Sequence, residues 1–202
     1  MTRVKICGIT NVDDALAAVD AGAAAIGLNV YPRSPRCIGV DVAERIVAAL
    51  PEQVCVVGVF VDAARADVGR VADTLGLDAL QFHGGESPAF CAGWRAKVIK
   101  ALRLRARGSL AELDSYRVDF ELIDAYVEGV PGGTGRPAAW EWLHGRSTDR
   151  LILAGGLTPG NVADAVRAVR PFAVDVASGV ERAPGRKDVG MMRRFVANAQ
   201  SA

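Results

Sequence analysis

Eight short runs of apolar and β-branched residues recur along this 202-residue chain, and a longer segment separates each run from the next. We predict a strand from each run, at Val4–Cys7, Ala25–Val30, Val54–Phe60, Ala79–Phe82, Lys97–Leu102, Phe120–Asp124, Leu151–Ala154 and Ala173–Val176. Most of the runs are continuously apolar rather than alternating, which is typical of strands that are covered on both faces of a parallel sheet. This repeat limits the fold more than any other feature of the sequence.

The segments between the runs have helical character. Apolar residues lie three and four positions apart in "NVDDALAAVDAG", "DVAERIVAALP", "DAARADVGRVADTLG" and "TPGNVADAVRAVRP". Asn11 and Asp41 suit helix starts, and Gly22, Pro51 and Gly76 suit helix ends. The pattern is weaker after the fifth and sixth runs, where we expect only short helices, at Leu110–Tyr116 and Ala138–Leu143.

Eight strand and helix units in about 200 residues fit a compact (β/α)8 TIM barrel better than an open, doubly wound sheet. Half of the residues are hydrophobic, which is enough for a sizeable core. No linker, low-complexity tract or change of composition divides the chain, so we expect one barrel domain over residues 1–202.

Charge and composition exclude several classes of partner. The 24 basic and 23 acidic residues are interspersed and give a formal charge of +1, so neither a nucleic acid nor an anionic membrane surface is expected as a partner. No signal-peptide pattern is visible, and no run approaches the roughly 18 apolar residues of a membrane span. We therefore expect a soluble, cytoplasmic protein.

The cysteines and histidines do not form a recognisable metal-binding or disulfide pattern. The four cysteines are scattered without CxxC spacing, and neither of the two histidines is grouped with them. We expect no metal site and no disulfide framework, which suits a reducing compartment.

The functional residues of such a barrel stand at the carboxyl ends of the strands and on the loops that follow. Cys7 ends the first strand and is followed by Gly8. A cysteine is most often a small buried hydrophobe, but at this position it reaches the catalytic end of the barrel. Asp124 ends the sixth strand, where it either caps a turn or serves the chemistry, and the glycine-rich loop Gly129–Gly135 after it can approach a ligand closely.

The loops after the last two strands favour a phosphate group. "LAGGLTPGN" contains Gly155 and Gly156, and "DVASGVE" contains Ser178 and Gly179. Both place small residues with accessible backbone N–H groups before a predicted helix start, where the amides and the helix dipole converge on an anion. A glycine pair alone would be a weak signal, but both loops follow the appropriate strands in order.

Three further polar side chains are candidates for the site. Arg36 lies in "YPRSPRCIG" after the second strand, where two prolines stiffen the loop; it is either a solvated surface residue or a fork that binds a carboxylate or phosphate. Gln81 and His83 alternate at the end of the fourth strand and should share a face. They line the site, or His83 simply caps the loop.

In this order, the segments "KICGIT", "YPRSPR", "VGVFVD", "LDALQFHG", "LIDA" with "GGTG", "LAGGLTPGNV" and "DVASGVE" resemble the N-(5'-phosphoribosyl)anthranilate isomerase family of tryptophan biosynthesis. They span nearly the whole chain, and each falls on a different loop of the catalytic face. The resemblance implies a single-domain barrel that works without a cofactor. Ala177 departs from the family's pattern, in which a serine is common.

The resemblance also implies the reaction and the roles of the site residues. The family converts an aminoaldose, N-(5-phosphoribosyl)anthranilate, into an aminoketose by an Amadori rearrangement. Carried over by motif, Cys7 is the general base and Asp124 the general acid, while Arg36 contacts the anthranilate carboxylate. The amides around Gly155, Gly156, Ser178 and Gly179 would hold the phosphate.

Two alternatives stand beside this interpretation. A barrel of the histidine-pathway type runs the same chemistry on another aminoaldose, but its first-strand base is an aspartate and its phosphate site is duplicated. A non-catalytic barrel that binds a phosphoribosyl ligand would lack the acid and the base, and both are present here. The partner is expected to be a small-molecule substrate, and the chain is expected to be a monomer, with a dimer left open.

Overall fold

Eight parallel strands form a closed barrel within residues 1–104, 110–124, 138–143 and 145–202, which are those that this computed structural model describes. The strands are Arg3–Cys7 (β1), Ala25–Asn29 (β2), Cys55–Phe60 (β3), Ala79–Phe82 (β4), Lys97–Arg103 (β5), Phe120–Asp124 (β6), Leu151–Ala154 (β7) and Ala173–Val176 (β8). Neighbours in sequence are neighbours in the sheet, and β8 pairs with β1. The predicted (β/α)8 barrel is confirmed, and every predicted strand bound lies within one residue of the observed one.

Helices cover the outside of the barrel. They are Val12–Asp20 (α1), Val40–Ala49 (α2), Arg65–Leu75 (α3), Pro88–Cys91 (α4), Leu110–Leu113 (α5), Val162–Val169 (α6) and Val189–Gln200 (α7), with 3-10 helices at Ala138–Leu143 and Ser178–Val180. As predicted, Asn11 caps α1, since its side-chain oxygen accepts a hydrogen bond from the backbone N–H of Asp14 at 2.8 Å. The prediction that Asp41 caps α2 is wrong, because the helix begins at Val40 and Asp41 lies in its first turn, with Gly39 as the N-cap. Gly76 ends α3 in the left-handed region, with φ of 58°.

The alternation of the strands divides the buried residues into two layers. Outward-facing side chains such as Ile6 and Phe82 pack against the helices in the larger core. Inward-facing side chains fill the barrel itself and are mostly small or aliphatic: Val57, Ala79, Ile99, Ala101, Leu122, Ile152, Ala154 and Ala173. Towards the carboxyl ends of the strands, polar side chains replace this apolar filling.

A short antiparallel hairpin follows the 3-10 helix at Ser178–Val180 and precedes α7. Its strands are Glu181–Ala183 (β9) and Arg186–Lys187 (β10). The hairpin brings Glu181 and Lys187 over the carboxyl ends of β1 and β8. Across the described ranges, no helix combines the length and the apolar character that crossing a membrane requires.

Candidate active site

A cavity of about 520 Å³ opens at the carboxyl ends of the barrel strands. It is lined by all nine residues that the sequence proposed for a site: Cys7, Arg36, Gln81, His83, Asp124, Gly155, Gly156, Ser178 and Gly179. These residues lie at strand ends and on loops that are far apart in sequence, and the barrel brings them to one face, as expected for its catalytic end. The glycine-rich loop Gly129–Gly135 lies outside the described residues.

Cys7 points into the barrel at the end of β1, and two glycines make room around it. Its partner in the β2 ladder is Gly27, where an added Cβ would lie 2.7 Å from the Sγ atom of Cys7. Gly8 turns the chain with φ of 74°, and a side chain there would clash with Arg36. The glycine that follows the cysteine thus allows Arg36 to pack over the end of β1.

The surroundings of Cys7 act on its thiol in opposite directions. Burial raises the pKa of the Cys7 thiol, and Asp175 adds to this rise, whereas the ammonium groups of Lys5 and Lys187 lower it; the net pKa is above the ordinary value. The side chain of Lys187 also donates a 2.6 Å hydrogen bond to the backbone carbonyl of Cys7. Burial therefore outweighs the two ammonium groups that favour the thiolate.

Asp124 ends β6 and points into the same cavity. Its carboxylate oxygen lies 3.8 Å from Nε of Arg103, the residue beside it on β5. The side chain is 17% exposed, so it keeps access to a ligand while most of its surface is removed from water. A thiol and a carboxyl group therefore face one cavity from two strands, which is the arrangement that two separate proton transfers require.

The two loops proposed for phosphate binding lie against each other. Gly155 and Gly156 both adopt positive φ, at 92° and 65°. A side chain at Gly179 would clash with the backbone carbonyl of Leu157, so the β8 loop approaches the β7 loop closely only because this residue is glycine. The amide of Asn161 donates to the carbonyl of Gly156 at 3.0 Å and ties the β7 loop to the start of α6.

The two loops differ in the helix that follows each of them. The β7 loop leads into the eight-residue helix α6, as predicted. The β8 loop leads instead into the three-residue 3-10 helix at Ser178 and then into the hairpin. The second loop therefore presents individual backbone N–H groups rather than the N-terminus of a long helix.

Arg36 is held by a carboxylate that the sequence analysis missed. Its Nε and Nη2 atoms donate to the two carboxylate oxygens of Glu181, at 2.8 and 2.6 Å, and Lys187 donates to the same carboxylate at 2.8 Å. Burial raises the pKa of Glu181, but these hydrogen bonds outweigh burial and the net pKa is lowered. The hydrogen bonds to Glu181 also raise the pKa of Arg36. A fully charged guanidinium is thus fixed at the edge of the cavity.

Gln81 and His83 lie on the same face, as the strand alternation predicted. Nε2 of Gln81 lies 2.9 Å from Nδ1 of His83. Burial lowers the pKa of His83, so the imidazole is neutral at neutral pH. Gln81 is 1% exposed, and within the described residues its Oε1 atom has no hydrogen-bond partner. This pair offers neutral hydrogen-bonding groups at the wall of the cavity.

An ion pair inside the barrel was also missed. Nζ of Lys5 lies 2.9 Å from Oδ1 of Asp175, and the two residues are partners in the ladder between β1 and β8. The available signal was a charged residue in the middle of each of two apolar runs, "VKIC" and "AVDV". Among the described residues, no group of three or more His, Cys, Asp or Glu side chains is placed to hold a metal ion.

Comparisons with known proteins agree on one family. The family model described as N-(5'phosphoribosyl)anthranilate (PRA) isomerase matches residues 4–198. A relative from Geobacter sp. strain M21, named N-(5'-phosphoribosyl)anthranilate isomerase, is 54% identical over 99% of this chain and 98% of its own. The relative of the same name from Pseudomonas fluorescens strain Pf0-1 is 52% identical over 96% of each chain.

Solved structures give the same result. The crystal structure of phosphoribosyl anthranilate isomerase from Thermotoga maritima superimposes with a TM-score of 0.92 at 40% identity, and both chains are covered completely. A crystal structure of phosphoribosyl anthranilate isomerase in complex with reduced 1-(o-carboxyphenylamino)-1-deoxyribulose 5-phosphate has a TM-score of 0.89, also at 40% identity and complete coverage. With the family model matched over nearly all of its length, this chain belongs to the N-(5'-phosphoribosyl)anthranilate isomerase family.

Proposed function

We propose that this protein converts N-(5-phospho-β-D-ribosyl)anthranilate into 1-(2-carboxyphenylamino)-1-deoxy-D-ribulose 5-phosphate in L-tryptophan biosynthesis. One observation carries the proposal: Cys7, Asp124 and the two glycine-containing loops after β7 and β8 all line the same cavity. Family membership supports it, as does the bound analogue of a carboxyphenylamino-deoxyribulose phosphate in a 40% identical structure. Neither alternative reaction class receives comparable support.

The two ends of the substrate carry charges that the cavity can bind. Backbone N–H groups around Gly155, Gly156, Ser178 and Gly179 hold the phosphate. The guanidinium of Arg36 binds the anthranilate carboxylate, while Glu181 fixes its orientation. Anchoring both ends places the ribose between the acid and the base, which removes much of the entropic cost of the reaction.

The first proton transfer opens the sugar ring. Asp124 donates a proton to the ring oxygen as the C1'–O bond breaks, and that bond's electron pair goes to the oxygen. The lone pair of the anthranilate nitrogen forms the C1'=N bond, so the intermediate is a cationic iminium. A general acid at this position stabilises the leaving oxygen.

The second proton transfer converts the iminium into an enol that carries the amine at C1'. The thiolate of Cys7 removes the proton from C2', and the electron pair of that C–H bond forms the C1'=C2' bond as the nitrogen regains its lone pair. The resulting enol tautomerises to the ketone. Cys7 acts as a base and forms no covalent adduct. Gln81 and the neutral His83 supply hydrogen bonds to sugar hydroxyls without adding charge.

Turnover of freshly prepared phosphoribosylanthranilate tests this proposal, because consumption of the substrate changes the fluorescence of the anthranilate group. We expect turnover in the unmodified protein and losses in kcat on the order of 10²–10⁴-fold in Cys7→Ala and Asp124→Asn. The matched control is Cys37→Ala, a thiol outside the cavity lining, which should retain kcat. Near-normal kcat in the Cys7 and Asp124 variants would refute the assigned roles.

Three further expectations belong to this proposal. Residues 1–202 act as one catalytic domain without a cofactor, and the protein works in the cytoplasm. Its partner is the small-molecule substrate, and it binds neither a nucleic acid nor a membrane. A Thermotoga maritima isomerase is described as dimeric, in a crystal structure of monomers generated from it. We propose a monomer here, which light scattering of the purified protein tests directly. Comparable turnover of the histidine-pathway aminoaldose would contradict the assigned substrate.

A further inference from the structure

A buried lysine lies two residues before Cys7 on the same inward face of β1. The side chain of Lys5 is 3% exposed and that of its partner Asp175 is 8% exposed. Their charged atoms are 2.9 Å apart, inside the barrel and directly across the ladder between β1 and β8. Asp175 also lines the cavity, so the ion pair reaches the site through its carboxylate.

The ammonium group and the thiol meet at one point in the barrel. A Cβ atom added to Gly27 would lie 2.7 Å from Sγ of Cys7 and 3.1 Å from Nζ of Lys5. The two groups therefore flank the same small space, which is open only because β2 carries glycine there. Ala25, beside Lys5 in the same ladder, is also small.

The charge state of Lys5 is fixed by its neighbours. Burial alone lowers the pKa of Lys5, but Asp175 and Cys7 outweigh it and the net pKa is well above the ordinary value. Lys5 is therefore an ammonium ion at neutral pH. A buried ion pair is weak evidence for stability, since apolar replacements of such pairs are often equally stable. Its place beneath a thiol calls for another explanation.

We propose that Lys5, held by Asp175, is a positioning residue that stabilises the thiolate form of Cys7 and so prepares the base for its proton transfer. This inference rests on the proposed function, in which Cys7 is the general base. The ammonium offsets part of the cost of ionising a thiol that is removed from water. In the reaction it acts only through Cys7.

The other charged groups around the thiol do not replace Lys5. Asp175 opposes the thiolate, and Lys187 directs its ammonium to the carbonyls of Cys7 and Ala177 and to Glu181. Arg36 is committed to Glu181. His83, which is neutral, and Asp124 line the same cavity. Lys5 is the group that shares the inward face of β1 with the sulfur.

Ionisation of Cys7 can be measured without any turnover. The rate of alkylation by iodoacetamide as a function of pH, followed by mass spectrometry of the peptide that contains Cys7, gives the midpoint of thiolate formation. In Lys5→Met we expect the midpoint to rise by about one pH unit or more, because an opposite charge beside a titrating group typically shifts its pKa by that amount. The acidic limb of the pH profile of kcat/KM should move to higher pH by a similar amount, and activity should recover at high pH.

A second variant keeps the test decisive if the unpaired Asp175 prevents folding of Lys5→Met. Lys5→Met combined with Asp175→Asn removes both charges, and its midpoint should still rise because Lys5 affects the thiol more strongly than Asp175 does. The control is Lys97→Met, which removes an exposed lysine at the start of β5. We expect no shift there.

The outcomes separate this inference from the function on which it rests. An unchanged alkylation midpoint in the folded double variant overturns the role of Lys5, as does a loss of kcat that is equal at every pH. A shifted midpoint in a protein whose Cys7→Ala variant keeps full activity leaves the electrostatic coupling intact but removes Cys7 as the base. In that case it is the proposed function that fails.

Discussion

Lys5 and Lys100 are both almost completely buried and both pair with a carboxylate, yet they lie on opposite sides of the sheet. The Lys5 pair with Asp175 faces into the barrel beside a thiol and a cavity. Lys100 faces outward from β5, and its Nζ atom lies 2.8 Å from Glu86 and donates to the carbonyl of Gly84 at 2.7 Å. Burial and charge pairing are therefore common to both regions and do not by themselves identify a functional one.

The difference lies in what each carboxylate and lysine touches next. The carboxylate of Glu86 accepts backbone hydrogen bonds from Asp62 and Gly84, both at 2.9 Å, and the hydroxyl of Tyr116 donates to the Glu86 carbonyl at 2.8 Å. Glu86 and Lys100 thus join the loops after β3 and β4 to each other, to β5 and to Tyr116. Lys5 and Asp175 instead lie beside the thiol of Cys7 and beside the cavity that Asp175 and Cys7 line. We infer that one pair serves the scaffold and the other serves the chemistry.

The largest effect is expected from breaking the scaffold pair. Lys100→Met leaves the Glu86 carboxylate buried without its cation, and we expect the free energy of unfolding to fall by about 3–5 kcal/mol. Activity per folded molecule should stay near normal, because Lys100 does not line the cavity. Urea denaturation and steady-state kinetics at a temperature where the variant is folded provide the two measurements.

A matched double variant checks the cause of that loss. Lys100→Met with Glu86→Gln leaves no unpaired charge, so part of the lost unfolding free energy should return. If Lys100→Met instead kept its stability and lost kcat, the division of the two lysines between scaffold and chemistry would be wrong.

Two glycines offer a comparison between the same two sides of the sheet. A Cβ at Gly27 would press on the thiol and on Lys5 inside the barrel, whereas one at Gly58 would lie 2.5 Å from Leu77 and 2.8 Å from Phe60. Both alanine variants should lose about 1–3 kcal/mol of unfolding free energy through overpacking. Only Gly27→Ala should also lower kcat, by roughly tenfold to a hundredfold, because it displaces the base. Equal kcat losses in the two variants would show that overpacking alone explains the effect.

The sequence predicted the scaffold well because the signals for a parallel barrel are local. Continuous apolar runs and helical spacing placed all eight strands to within a residue. The nine candidate residues line one cavity, since each lies at or after the carboxyl end of a strand and the barrel brings such positions together; their roles stay a prediction. Local chemistry also predicted the cap at Asn11.

The sequence did not reveal how the site residues are held. Arg36 and Glu181 are 145 positions apart, and Lys5 and Asp175 are 170 apart. Such pairings depend on the closure of β8 onto β1, and no periodicity along the chain encodes them. The raised pKa of Cys7 also depends on the closed barrel, because the burial that causes it follows from the packing of all eight strands.

A third buried lysine joins the comparison through Glu181. The carboxylate of Glu181 accepts hydrogen bonds from Arg36, which lines the cavity, and from Lys187, so it lies beside the candidate site. In Glu181→Gln we expect KM to rise about tenfold with little change in kcat, because hydrogen bonds to charged groups contribute roughly 1.5–3 kcal/mol and the lost ones position substrate. Steady-state kinetics give both constants.

The control for that variant is Arg182→Gln, an exposed neighbour on the same hairpin. It should leave KM unchanged. A fall in kcat with constant KM in Glu181→Gln would contradict the assigned role, since it would place Glu181 in the transition state rather than in binding.

The smallest effect concerns His83, which shares the barrel interior with the Lys5 pair. Burial is the main cause that lowers the pKa of His83 below its ordinary value of 6.5, and Lys5 lowers it further, while Asp124 and Asp175 oppose the shift. The imidazole of His83 is thus protonated less readily in the folded state than in the unfolded state. The stability that neutral His83 contributes is complete above about pH 6.5 and is lost as the pH falls towards the folded pKa.

Comparison of unfolding free energies between about pH 8 and pH 5 isolates this contribution. In His83→Asn, which keeps an acceptor for the side chain of Gln81, the loss of stability towards low pH should be shallower than in the unmodified protein. His144, which lies outside the described residues, is replaced by asparagine in both backgrounds so that one histidine titrates. Lys97→Met should keep the original slope, because that exposed lysine is not among the charges that act on His83. A slope that stays the same in His83→Asn would show that the loss of stability towards low pH comes from other groups, and the assignment of this proton to His83 would be wrong.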